Sequence, residues 1–211
     1  FGTFQEELKE TPPVFGITRP AQTWNPIKIN FQHLWLLIQD AWRAENWKDK
    51  FTIWFKPTGW RPEGFEERYP VYKIEDVYAF EKYNPKHSPF LTYYSIIQLF
   101  ITLGFVSYLF ANVGTIGLPN IFVYGLFIFI TIYSQTELMD TNSNAYFFEL
   151  YRLLFGFGIV FFYGDWFGLN SVILFSNYVL GFYFLASFGF SYYFSTYEFV
   201  VYKNASKAIN S

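Results

Sequence analysis

Residues 87–136 contain no Asp, Glu, Lys or Arg. Beyond them only Glu137, Asp140, Glu149, Arg152 and Asp165 carry charge before Glu198. A water-soluble domain needs a charged outer face, so a stretch this long without one must meet lipid. Crossing a hydrocarbon core of ~30 Å takes about 20 residues of helix. Four stretches approach that length, at about 91–112, 118–135, 145–163 and 169–194. Gly114, Gly117 and Pro119 punctuate the first pair, Asp140 to Asn144 the second and third, and Gly164-Asp165-Trp166 the third and fourth. Backbone polar groups in lipid must be satisfied within the segment, which demands helices. The expected fold class is all-α: a membrane protein with interfacial amphipathic helices followed by a four-helix transmembrane bundle. The expected division is a polar half, 1–86, and a bundle, 87–211.

Aromatic residues near the predicted span ends, among them Tyr94, Tyr163, Trp166 and Tyr193, suit the headgroup region. Gly156-x-Gly158 in the third span suits close helix approach. Twelve of the fifteen Lys and Arg precede His87, and Lys203 and Lys207 follow the last span. With four spans both ends share a side, and the positive-inside rule makes that side cytoplasmic.

The rest of the composition mostly excludes. A formal net charge of -2 offers no dense basic face for nucleic acid. The absence of Cys removes disulfides, thiolate nucleophiles and Cys-ligated metals. The chain opens Phe1-Gly2-Thr3-Phe4 without Met and reads as the tail of a larger protein.

In the polar half, Asn25-Pro26 reads as a helix cap followed by a first-turn proline. Ile27, Phe31, Leu34, Trp35, Ile38 and Trp42 then form a helical stripe. A second start at Asn46 places Trp47, Phe51, Trp54 and Phe55 on one face, and Lys56-Pro57-Thr58-Gly59 ends it. Such Trp-rich helices suit either the membrane interface plane or packing against another portion of the protein.

Few side chains suggest chemistry. The two histidines, His33 and His87, are too few for a histidine metal site. His33 lies opposite the apolar stripe, with Leu37 and Asp40 at helical spacing. A His33–Asp40 relay and a surface histidine both fit that placement. Glu149 and Arg152 lie three apart inside the third span. Ionisable groups at that depth must pair or face a protein interior, and an i,i+3 ion pair satisfies both. That pair serves either as a helix anchor or as part of a headgroup or cavity wall. Glu137 and Asp140, at a turn, are expected to be solvated.

Several segments together resemble a known family. Phe1-Gly-Thr-Phe4, Val14-Phe-Gly-Ile-Thr-Arg-Pro20 and Trp24-Asn-Pro26 resemble the stretch after the last histidine box of the fatty acid hydroxylase/sterol desaturase superfamily. Trp47-Lys-Asp-Lys-Phe51 and Phe55-Lys-Pro-Thr-Gly-Trp-Arg-Pro62 resemble its alkylglycerol monooxygenase-like branch. So does Leu138-Met-Asp140 leading to Glu149-Leu-Tyr-Arg152.

The resemblance implies a membrane oxidoreductase whose non-haem diiron centre, held by histidine boxes, activates O2 to hydroxylate, desaturate or cleave a lipid. Imidazole is a natural ligand for iron. In this branch ether-lipid cleavage uses tetrahydrobiopterin. None of the boxes is present, so no catalytic residue or metal ligand is assigned, and the chain alone is expected to be inactive. The partners it implies are a lipid substrate, the membrane and an N-terminal catalytic half. Trp35, Trp60 and Arg61 are expected to help close the cytoplasmic face over the active site, with His33 in the same region. Glu149 and Arg152 are expected to position the bundle. The alternative is a non-catalytic membrane scaffold or partner subunit.

Overall fold

Two of the long helices start at side-chain caps, Asn25 and Ser88, whereas Asn46 makes no side-chain cap bond. In the computed structural model, residues 19–57, 59–74, 76 and 79–200 are described. The motifs at Phe1–Phe4 and Val14–Thr18, together with Thr58, Lys203 and Lys207, lie outside the described residues. Helix α1 runs Pro26–Arg43. Asn25 Oδ1 accepts from the amides of Ile27 at 2.9 Å and Lys28 at 3.3 Å, an Asn cap ahead of a first-turn proline. Helix α2 is Trp47–Thr52 and α3 is Phe65–Arg68. Ser88 caps α4, Pro89–Ala111, by accepting from the Leu91 amide. A short α5, Val113–Ile116, precedes α6, Asn120–Met139, and α7, Ala145–Tyr163. Helix α8 is Ser176–Tyr193 and continues through a π turn at Phe194–Glu198. No strand occurs among the described residues.

The chain divides into two compact units. The first holds residues 30–84 together with the chain before Thr23. The second holds residues 23–29, the first turn of α1, and everything from Pro85 onward.

In the second unit, α4, α6 and α7 are long and apolar enough to cross a membrane. The protein is an integral membrane protein. Large apolar side chains such as Phe110, Phe122, Phe161 and Phe182 point outward, as lipid-facing residues must. Helix α8 packs on α7 as a fourth helix of the bundle. It starts seven residues later than the expected fourth span, because Leu169–Ser171 form a 3-10 turn and Phe175 takes a left-handed conformation. Its apolarity is diluted by Ser187, Ser191 and Ser195, which recur every four residues and are all buried. That stripe faces protein rather than lipid.

An aromatic cluster closes one end of the bundle. Trp166 is fully buried, its ring 4.6 Å from Phe127, 5.3 Å from Phe105 and 5.4 Å from Tyr124. This corrects its expected place among the headgroups. The α7–α8 connection folds back over the helix ends, with Tyr108 Oη donating to the Phe167 carbonyl at 3.1 Å. Tyr94 is likewise buried rather than interfacial. Gly156 permits a close approach of α7 to α8: a Cβ there would sit 2.6 Å from the Phe184 ring. Gly158, by contrast, faces open space.

The first unit packs around Ala44, Ile53 and Phe65, with Leu37, Ala41, Trp60 and Tyr69 against them. The face of α1 used for this packing is that of Leu37, Asp40 and Ala41. The apolar stripe lies on the other side. Phe31, Leu34, Trp35, Ile38 and Trp42 are exposed, as are Trp47, Phe51, Trp54 and Phe55 around α2.

Candidate functional site

Three polar constellations stand out among the described residues, one in the first unit and two in the second. In the first unit, Asp40 is buried on the inner face of α1. Its carboxylate is gripped by the Arg61 fork, with Nε donating to Oδ2 at 2.7 Å and Nη2 to Oδ1 at 2.8 Å. The third Arg61 nitrogen donates to the Tyr69 carbonyl at 2.7 Å. A buried carboxylate needs such compensation, and the planar guanidinium supplies it in two parallel bonds. Asp40 is therefore committed to Arg61, which leaves His33 as an exposed side chain, the other of the two alternatives for it.

Beside that pair lies a cavity of about 650 Å³. Its apolar walls come from Leu36, Leu37, Trp60 and Val71, and its polar rim from Arg19, His33, Glu66 and Lys73. The size falls within the range of small-molecule sites. Of the residues singled out from sequence, His33, Trp60 and Arg61 line this one cavity. Trp35 does not: it belongs to the exposed stripe, 59% accessible. The α1 face at 33, 36, 37 and 40 has helical spacing, so the cavity wall was visible in the pattern once Asp40 was taken as inward.

In the bundle, Glu149 and Arg152 are both fully buried. Arg152 Nε donates to Glu149 at 2.9 Å, and Nη2 also bonds Glu149. The ion pair expected from the i,i+3 spacing is thus formed, and it extends further. Ser134 Oγ on α6 donates to Glu149 Oε2 at 2.7 Å. Arg152 Nη1 donates to Tyr183 Oη on α8 at 2.9 Å, and Tyr183 Oη donates to Gln98 Oε1 on α4 at 2.7 Å. Gln98 Nε2 then donates to Ser187 Oγ at 3.1 Å, which lies 2.7 Å from Tyr94 Oη. One hydrogen-bonded chain thus joins α4, α6, α7 and α8. Satisfied polar groups of this kind hold helices together in lipid, where unsatisfied ones are costly. Gln98, an amide inside the uncharged stretch, was the sequence signal for it.

At the α6–α7 turn the expected solvated carboxylates are in fact structural. Glu137 is fully buried. It accepts from Asn25 Nδ2 at 2.7 Å and Asn142 Nδ2 at 2.6 Å, and it pairs with Lys28. Asp140 accepts from the Trp24 amide at 2.7 Å and from the Thr23 hydroxyl. These bonds pin the first turn of α1 to the end of α6.

Comparison with known proteins finds alkylglycerol monooxygenases. The chain is similar to these enzymes. It is 29% identical to the alkylglycerol monooxygenase of Homo sapiens over 158 residues, 73% of this chain and 34% of that protein. It is 26% identical to that of Xenopus tropicalis over the same length, and 26% identical to that of Danio rerio over 166 residues. The chain spans about a third of the length of these curated relatives. No family model and no solved structure matches it. The relatives support the branch that the motifs resemble.

The donors present do not fit a diiron centre. The chain has two histidines and no Cys. Among the described residues, no group of three or more His, Cys, Asp or Glu side chains is placed to hold a metal ion.

Proposed function

We propose that this chain forms the membrane bundle and a lipid-binding portion of an O2-dependent membrane oxidoreductase that cleaves ether lipids of the alkylglycerol class. The observation that carries this reading is the similarity to three alkylglycerol monooxygenases over about three quarters of the chain.

Each constellation then has a part. The cavity suits an amphiphile, with Leu36, Leu37 and Trp60 against its apolar portion and the charged rim toward its polar end. The Asp40–Arg61 pair fixes α1 against the segment carrying Trp60, which keeps that cavity open. The Glu149–Arg152 chain holds the four bundle helices in register. A fourth crossing by α8 puts both ends of the chain on one side, and the distribution of basic residues makes that side cytoplasmic. The redox centre, a non-haem diiron site with tetrahydrobiopterin as reductant, is formed by residues other than those described here. No chemical step is assigned to this chain's side chains.

The poor fit of its donors to iron favours one other reading, a non-catalytic scaffold or partner subunit. Purified natural protein distinguishes the two. The oxidoreductase reading expects bound iron and O2-dependent loss of an alkylglycerol. Protein that is folded, iron-free and without turnover when supplied with iron and a reduced pterin would support the scaffold.

A further inference from the structure

The apolar stripes of α1 and α2 take no part in the core of their own unit. Trp35, Ile38, Trp42, Trp47, Phe51 and Phe55 are all more than 40% accessible, and Trp42 and Phe55 exceed 80%. The opposite faces, with Leu37, Ala41, Ala44 and Ile53, already supply the core. An apolar surface of this extent on a folded unit marks a binding face.

Three observations identify what covers it. Five of the chain's seven tryptophans are exposed, at 24, 35, 42, 47 and 54, and Trp is the side chain that favours the headgroup–acyl boundary. Residues 42–56 carry Arg43, Lys48, Lys50 and Lys56 against Glu45 and Asp49, a net charge of 4 − 2 = +2 that suits anionic headgroups. Finally, Trp24 and Asn25 just ahead of α1 donate to Asp140 and Glu137 at the end of span α6, and Lys28 in its first turn pairs with Glu137, so α1 starts at the end of a membrane span.

We propose that the exposed face of α1 and α2 lies in the interface plane of a lipid bilayer. Trp42, Trp47 and Phe55 enter the acyl boundary, and Lys48, Lys50 and Lys56 reach the phosphates. This placement does not depend on the catalytic reading above.

The lack of cysteine makes the test direct. Single cysteines replace Trp42, Trp47 or Phe55, with Glu45 as the solvent control, its side chain being 82% accessible. Each is labelled with a nitroxide in nanodiscs of phosphatidylcholine and phosphatidylglycerol. Collision with O2, which partitions into lipid, is compared with collision with a water-soluble nickel complex. The proposal expects O2 to dominate at 42, 47 and 55 and nickel at 45. Nickel dominating at all four sites would place the face in water and overturn it. Protection from both reagents at 42, 47 and 55 would show that protein covers the face and would also overturn it. The unmodified chain gives a second reading that no substitution can disturb. Brominated lipids should quench most of the tryptophan emission, whereas iodide quenching in their place contradicts the proposal.

Discussion

Arg152 on α7 and Tyr183 on α8 meet at 2.9 Å, and through that bond the Glu149–Arg152 pair reaches Gln98 on α4. The arginine also lies 4.9 Å from the centre of the Tyr183 ring. Its charge is thus met by a carboxylate, a hydroxyl and an aromatic face.

Removing one partner of such a pair strands the other. Arg152→Leu leaves Glu149 buried with only Ser134 as a donor. It should cost about 3–5 kcal/mol. The double variant Glu149→Leu/Arg152→Leu removes both charges and should recover most of that loss. Denaturant unfolding in mixed micelles measures both. Equal destabilisation of single and double variants would contradict the pairing.

Gly156→Ala forces the new methyl into the Phe184 ring, which is itself fully buried. Overpacking of this kind costs about 1–3 kcal/mol. Gly158→Ala meets nothing within 4 Å and should be neutral or stabilising by about 0.5–1 kcal/mol. A thermal scan of the two variants in the same lipid separates them, and the opposite order would refute the close approach of α7 and α8.

Asn25 both caps α1 and donates to Glu137. Asn25→Ala should cost about 0.5–2 kcal/mol for the cap alone. The local signature is faster hydrogen exchange at the Ile27 and Lys28 amides, with α4 unchanged. Unaltered protection at those two amides would show that the cap contributes nothing.

Arg61→Lys keeps the charge but cannot reproduce the fork on Asp40 together with the bond to the Tyr69 carbonyl. A loss of about 1–3 kcal/mol is expected, the cost of buried polar groups left without partners. Amide exchange around Trp60 and Tyr69 should rise. Wild-type exchange there would mean that a single ammonium suffices.

Much of this was legible in the sequence because lipid makes simple demands. The charge-free stretch, the polar turn before Ala145 and the Asn25-Pro26 cap located helices close to their observed bounds. The ion pair followed from spacing and depth. Hydropathy, however, says that a helix meets lipid without saying which face meets its neighbours. In a membrane bundle the inward face is marked by small and polar residues, so Gln98, Ser134 and Ser187 held that information rather than the phenylalanines. Trp166 and Tyr94 were placed at the interface by residue type, whereas the folded-back α7–α8 connection buries the first and Ser187 binds the second. The burial of Glu137 is not legible locally, because two of its three partners, Asn25 and Lys28, are more than a hundred residues away in the chain. In the polar half the stripe was seen correctly as a helical face, but the core turned out to use the smaller residues opposite it.

In the proposed function the cavity beside Asp40–Arg61 takes the lipid of an ether-cleaving oxidoreductase. Leu36→Trp fills that cavity and leaves both members of the ion pair in the chain. Its KM and kcat for an alkylglycerol, measured in membranes carrying the natural protein, test the claim most directly. Beside it stands Glu45→Ala, a substitution at an exposed carboxylate away from the cavity. The account predicts that Leu36→Trp raises KM about tenfold or more, the loss of at least 1.4 kcal/mol of substrate binding, while Glu45→Ala stays at wild-type values. Wild-type KM and kcat in a folded Leu36→Trp protein would contradict it.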